Sequence, residues 1–266
     1  MIIAIDTGGT KTLIESFDKA GNKTFIDKFP TPLETDEYIA RTVAAVPKTE
    51  PIDAIVLAVP GIVEDGVIAH MGNLPWRNFD VQRALEAHFP DIPVHVENDA
   101  NLGGLGEVCM RSDAPERCLY LTVSTGIGGG FIVGRHIEPF LATTEVGHMK
   151  LDYAGQLRRW EHFASGKAIK NEWGKLASEI DSEEEWQSVA ERVSKGLLVL
   201  LPTLRPEIVI IGGGVGTHFA KFSQYLQDIL EQNLEPIYVC PVVGAEHPEE
   251  AVIYGCYYYA LDFIAP

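Results

Sequence analysis

The feature that most restricts the fold is a repeat in which an apolar β-branched strand runs into a Thr/Gly turn and resumes as a strand without opening a helix. It occurs as "IIAIDTGGTKTLIESF" from residue 2 and as "CLYLTVSTGIGGGFIV" from residue 118. Thr7 and Thr125 hold equivalent places 118 residues apart. That spacing is too long for a solenoid period, so the chain reads as a duplicated domain.

The patterns around each copy extend the parallel. In the first half, residues 2–6 read as a strand, "TLIESFDKAGNKTFIDKF" as a hairpin turning at Ala20-Gly21-Asn22, and Glu37–Val46 as a short helix. "DAIVLAVPG" reads as a buried strand, Val81–Phe89 as a helix and "PVHVEND" as a strand. In the second half, "CLYLTVSTG" and "GGFIVGRHIEP" precede a long helix containing "SVAERVSKGLLVLLPTL". The strand "EIVIIGGG", the helix "HFAKFSQYLQDILEQ", the strand "IYVCPVV" and the helix "EEAVIYGCYYYALDFI" complete it. The boundary falls near "GEVCMRSDAPER", giving domains over 1–110 and 111–248, with the helix at about 249–266 expected to pack back on the first.

At 266 residues, 46% hydrophobic and 22% charged, the chain can bury sizeable cores. Its net charge of −17 is spread evenly, with 10 Lys/Arg against 19 Asp/Glu in residues 1–133 and 11 against 19 in 134–266. Such a surface repels phosphate backbones and anionic lipid, which argues against nucleic acid and membranes as partners. The chain contains no run of about eighteen apolar residues, and Met1 leads straight into a strand without a basic or cleavage segment, so a cytoplasmic location is expected. Cys109, Cys118, Cys240 and Cys256 include no Cys-x-x-Cys pair, and no zinc site is expected. The acidic run Asp181, Glu183, Glu184, Glu185 reads as a solvated helix start.

The glycine clusters could simply supply positive φ in tight turns. They are not the familiar nucleotide loops. "DTGGTKT" lacks the Gly before Lys of a P-loop, and "TGIGGGF" and "IGGGVGT" fail the dinucleotide fingerprint at Phe131 and Thr217. A hairpin of bare backbone N–H groups with Thr hydroxyls is, however, an anion-binding concavity, and Thr7–Thr10 and Ser124–Gly129 have that chemistry. Asp6 at the mouth of the first hairpin would repel a bare phosphate. It is either a strand-end cap or a carboxylate that meets phosphate through Mg²⁺.

The motifs "AIDTGGTKT", "VENDANLGGLGE", "LTVSTGIGGGFIVG", "EVGHMKLD" and "IVIIGGGVG" span nearly the whole chain. In these motifs and their order the sequence resembles the ROK group (repressor, open reading frame, kinase) of sugar kinases. The resemblance implies an α/β fold of the actin/hexokinase (ASKHA) superfamily, with two ribonuclease-H-like domains and an interdomain cleft for ATP, Mg²⁺ and a small-molecule sugar. Family members are commonly dimers, so a homodimer is the implied assembly. By the same resemblance, Asp6, with Mg²⁺ bound through water, and Gly8, Gly9, Thr10 and Lys11 serve phosphate in the first hairpin. Thr125, Gly126 and Gly128 serve it in the second, and Gly212, Gly213 and Gly214 lie against the adenosine.

Phosphoryl transfer to a sugar hydroxyl needs positioning, charge neutralisation and one carboxylate beside the attacking oxygen. Asp99, where an apolar strand ends and a helix begins, is the candidate; on the bare sequence a helix cap is the better reading. The match of "END" to the family motif implies instead that Asp99 is the general base and that Asn98 binds sugar hydroxyls. Glu145 and His148, three apart in "EVGH", converge if the segment makes a helical turn. The resemblance makes both sugar ligands, together with Glu161 before "HFASG". Gly61 in "VPGIVEDG" permits close backbone approach at the sugar pocket, and Asn73 or Trp76 in "GNLPW" would line its rim, the alternative being a plain turn with a core Trp.

Many ROK members carry a Cys-x-Cys-Gly-x-x-Gly-Cys loop between that His and that Glu, whose three cysteines join the His in binding zinc. Here the segment is "HMKLDYAGQLRRWE", without cysteine. His148 is therefore expected to meet the sugar directly or through Glu145, with the segment ordered by packing around Trp160. The resulting expectation is an ATP-dependent hexose kinase acting on the 6-hydroxyl of glucose or a related sugar. The alternatives are a polyphosphate-dependent glucokinase and a non-catalytic sugar-binding or regulatory member. A DNA-binding regulator would need a helix-turn-helix ahead of the first hairpin, and Met1 lies five residues before Asp6.

Overall fold

The structure, a computed structural model, describes residues 1–47, 50–72 and 74–264. Asn73, one of the two expected rim residues, lies outside the described residues. The chain divides into two compact units, Met1–Met110 with Glu249–Pro266, and Arg111–Pro248.

The first unit is built on a hairpin, β1 (Ile2–Thr7) and β2 (Lys11–Phe17), extended by β3 (Lys23–Pro30) on one side. After helix α1 (Thr35–Ala45), strand β4 (Ala54–Val59) pairs parallel to β1. A small antiparallel sheet follows, β5 (Ile62–Glu64), β6 (Val67–His70) and β7 (Arg77–Asp80), then helix α2 (Val81–Glu86). Strand β8 (Val94–Asn98) pairs parallel to β4 and runs into helix α3 (Asp99–Met110). The main sheet therefore reads β3-β2-β1-β4-β8. All six residues of β4 are buried, as a parallel strand covered on both faces requires. On one face Ile3, Ile5, Ile55, Leu57 and Val59 pack with Tyr38 and Ile39 of α1 and Val81 and Leu85 of α2.

The second unit repeats this topology. Strands β9 (Arg117–Val123), β10 (Ile127–Val133) and β11 (His136–Ile137) form the antiparallel part. A hairpin, β12 (Lys150–Tyr153) and β13 (Gln156–Arg159), leads to helices α4 (Glu161–Ala164), α5 (Gly166–Trp173) and α6 (Glu183–Leu204). Strand β14 (Ile208–Gly212) pairs parallel to β9, helices α7 (Gly213–Gly216) and α8 (Ser223–Asn233) follow, and β15 (Val242–Gly244) closes the order β11-β10-β9-β14-β15. The acidic run starts α6. The Ser182 side chain accepts from Glu185 N at 3.2 Å, and Glu183, Glu184 and Glu185 fill the first turn, where negative charge suits the helix dipole.

Helix α9 (Ala251–Ile264) returns to the first unit, where it packs against α3 and on β1 and β4. Its contact with α3 is backbone on backbone. A Cβ at Gly106 would lie 1.9 Å from the Ala251 carbonyl oxygen, and one at Gly255 would lie 1.9 Å from that of Leu102.

Two expected elements differ from the structure. The helix expected over "HFAKFSQYLQDILEQ" breaks at Phe222, with a single 3₁₀ turn Phe219–Lys221 before α8. Of "IYVCPVV" only the end pairs with β14. Pro236–Tyr238 is a 3₁₀ turn, and Pro241, lacking an N–H, gives only its carbonyl to Val209 N. No helix among the described residues is long and apolar enough to cross a membrane.

Candidate active site

In the first unit the carboxyl ends of three parallel strands share one edge of the sheet. Asp6 on β1 lies in register with Ala58, and Val59 with Asn98. Ligands of open α/β sheets gather at such an edge. Asn98 supplies the cap of α3: its Oδ1 accepts from Ala100 N at 2.8 Å and Asn101 N at 3.2 Å. Its Nδ2 donates to the Gly61 carbonyl at 2.9 Å. Gly61 is required there by its φ of 131°, and a Cβ would lie 2.2 Å from the His70 carbonyl oxygen. The cap that the bare sequence assigns to Asp99 is thus made by its neighbour, and Asp99 begins the helix half-buried.

Asp99 lies close enough to Asp6 for its charge to be felt there. Burial first, then the charge of Asp99, pushes the Asp6 carboxyl from its ordinary 3.8 up to about 7, with Lys11 opposing. The Asp6 carboxylate at the mouth of the first hairpin is a hard oxygen donor of the kind Mg²⁺ takes. The shift also bears on stability. Folded Asp6 keeps its proton up to about pH 7 while the unfolded chain loses it near 3.8, so stability falls as pH rises between those values and stays reduced above them. Asp6→Asn, melted without divalent cations, is therefore expected to exceed the wild type at about pH 8 by roughly 2–4 kcal/mol. The gain should vanish near pH 4, where both forms are neutral; a loss at pH 8 would contradict the burial of this charge.

Sequence reasoning missed what braces the first hairpin. Thr31 Oγ1 donates to the Gly8 carbonyl at 2.8 Å, Thr31 N donates to Thr10 O at 3.1 Å, and Thr12 Oγ1 lies 3.0 Å from Thr31 Oγ1. The Tyr38 hydroxyl, buried on α1, is 2.8 Å from Thr7 Oγ1. Gly8 and Gly9 do not have positive φ, so turn geometry alone does not demand glycine there. Thr10 and Lys11 are exposed at the tip. Trp76 takes the core alternative rather than the rim: it is 2% exposed, its ring is 4.7 Å from Tyr38, and its Nε1 donates to Leu33 O.

In the second unit Glu145, His148, Glu161 and the β9–β10 hairpin come together. Glu145 precedes a 3₁₀ turn, Val146–His148, which Gly147 lets approach β10; a Cβ there would lie 2.2 Å from Ile127 O. The expected helical turn is present, His148 N donating to Glu145 O at 3.0 Å, and the His148 side chain meets Glu161, Nε2 to Oε1 3.4 Å. Glu161 opens α4, and its Oε2 lies 2.9 Å from where a Cβ of Gly126 would stand. Burial, then the Glu161 charge, raises the Glu145 carboxyl above its ordinary range, while Arg159 lowers it. Trp160 is fully buried and donates from Nε1 to Arg192 O at 3.0 Å, with Met149, Leu151 and Tyr153 packed on the same cluster. Thr125 is exposed at the hairpin tip and Gly128 half-buried on β10. Gly212 ends β14 above the Tyr120 hydroxyl, 2.4 Å from a Cβ there, Gly213 has φ 78°, and Gly214 is exposed.

The model of the ROK family matches residues 2–262. The chain belongs to the ROK family. Among its relatives, a fructokinase of Lactococcus lactis subsp. cremoris is 27% identical over 80% of this chain and 78% of that protein. A xylose repressor of Caldicellulosiruptor bescii is 26% identical over 83% of this chain and 65% of the repressor. A ROK glucokinase of Streptomyces griseus, solved with glucose and AMPPNP, superimposes with a TM-score of 0.78 at 23% identity, over 96% of this chain and 97% of that one. The fold is thus the α/β fold of the actin/hexokinase superfamily. The ROK relatives include both sugar kinases and a repressor.

Proposed function

We propose that this chain is an ATP-dependent hexose kinase in which Asp99 is the general base. The observation that carries the reading is the division of labour at the start of α3. Asn98 makes the cap, and the next residue is a carboxylate whose charge is felt by Asp6 at the same strand edge. In this reading Asp99 accepts the proton of the attacking sugar hydroxyl as the new P–O bond forms. Asn98 offers the second hydrogen of its Nδ2, and Gly61 its backbone, to neighbouring hydroxyls. Glu145, His148 and Glu161 hold the far hydroxyls of the ring, bidentate acceptors suiting a polyol. The Thr7–Lys11 and Ser124–Gly128 hairpins, with their backbone N–H groups, hold the phosphates, and Gly212–Gly214 lie against the adenosine. Asp6 would hold Mg²⁺, which when bound supplies charge neutralisation for the phosphates.

A coupled ADP-release assay over a panel of hexoses and N-acetylhexosamines, run with ATP and with polyphosphate, tests this. Sugar-dependent ADP release with at least one hexose is expected. Turnover with polyphosphate alone would reassign the donor. Sugar binding by calorimetry without turnover on either donor would replace the kinase by a sugar-binding protein, the class to which a repressor relative points.

A further inference from the structure

Glu161 lies close enough to Glu145 for its charge to raise the Glu145 carboxyl. Three cationic or protonatable groups surround a single oxygen of Glu161: His148 Nε2 at 3.4 Å, Arg159 Nη1 at 3.8 Å and His162 Nε2 at 3.9 Å from Oε1. The imidazoles carry charge only when protonated, whereas the guanidinium always does. With Oε1 turned to these groups, Oε2 is directed at the Gly126 hairpin, which has no side chain in its way.

Arg159 is delivered to this place by an ordered element. It ends β13 in register with Lys150, and the next residue, Trp160, donates its backbone N–H to Met149 O at 2.8 Å. Tyr153 on the same hairpin stacks on Phe163 of α4, ring centroids 4.3 Å apart and planes 4° apart, under the Arg192 guanidinium at 5.5 Å. Arg192 in turn donates to the Phe163 carbonyl at 3.0 Å and pairs with Glu172. Hairpin and helix are thus packed on each other where Arg159 meets Glu161.

We infer that Arg159 is a positioning residue for sugar recognition, holding Glu161 by Oε1 with Oε2 at the Gly126 turn, so that the carboxylate is fixed where Glu145 feels its charge. This rests on the sugar-kinase reading above. Arg159 acts through Glu161 and does not contribute to the transfer step, so its removal weakens sugar binding and spares turnover.

The test uses the full chain and the hexose that the wild type turns over best, comparing Arg159→Gln, Arg159→Lys and, as a control on the same hairpin, Leu157→Gln, whose side chain is 68% exposed. Arg159→Gln is expected to raise both the sugar KM and the calorimetric sugar Kd about three- to fivefold, the worth of a half-exposed ion pair. Its kcat, ATP KM and Tm should stay close to wild type, Arg159→Lys should recover most of the loss, and Leu157→Gln should show none. An unchanged sugar Kd in Arg159→Gln, or an equal rise in Leu157→Gln, would overturn the inference. If the wild type binds sugar without phosphorylating it, the kinase reading fails while the Kd comparison still decides the role of Arg159. No sugar binding by the wild type would overturn both.

Discussion

Asp99→Asn is expected to lower kcat between about 10²- and 10⁴-fold, the usual worth of a positioned general base, while leaving the KM values for sugar and ATP within about threefold. The substitution keeps the shape of the side chain and removes only its charge and basicity. Helix α3 should survive, because its cap is the Asn98 side chain, not Asp99. Nucleotide binding should not suffer either. The charge of Asp99 is one cause of the raised Asp6 carboxyl, so its loss makes Asp6 easier to ionise and a better partner for a cation. Steady-state kinetics with sugar calorimetry on the same protein separate the two parts. Near-normal turnover would remove Asp99 from the base role. A lost sugar affinity with intact turnover would make it a binding residue.

Gly255→Ala should be among the most destabilising single methyl additions available in this chain. At an exposed helix position Gly→Ala stabilises by about 1 kcal/mol. Here the added Cβ would stand 1.9 Å from the Leu102 carbonyl oxygen and 2.5 Å from its carbon, backbone atoms of α3 that no rotamer change can move. The helices must separate, and the loss is expected to be about 3 kcal/mol or more, read as a fall in the urea midpoint. Gly106→Ala meets the mirror obstacle, the Ala251 carbonyl at 1.9 Å. Because α3 begins at Asp99, the same separation should also lower kcat in whatever fraction stays folded. A variant as stable as the wild type would show that the two helices do not meet through their backbones.

The main sheets were legible in the sequence because their signals are long and periodic. The runs "IIAI" and "AIVLAV" are buried on both faces, and their Thr/Gly turns bound the hairpins. The small sheet β5–β7 and the hairpin β12–β13 were not legible. Their strands are three or four residues long and only partly buried, so alternation has no room to show. The convergence of Glu145, His148 and Glu161 on one place followed from the resemblance, yet the pairing of His148 with Glu161 depends on a hairpin that spacing does not reveal. Likewise, the choice between Asn98 and Asp99 as cap turns on a side-chain rotamer, and the Tyr38–Thr7 contact joins residues 31 apart through a tertiary packing that no local pattern encodes.

The return of α9 to the first unit has a consequence for the order in which the protein is made. Residues 111–248 form one uninterrupted stretch, whereas the first unit must wait for a helix that begins at Ala251 before the backs of β1, β4 and α3 are covered. On the ribosome, then, residues 111–248 can finish packing while the strands that precede them still expose an apolar face to chaperones. The strand ends bearing Asp6 and Asp99 are made before the second unit and locked in place after it.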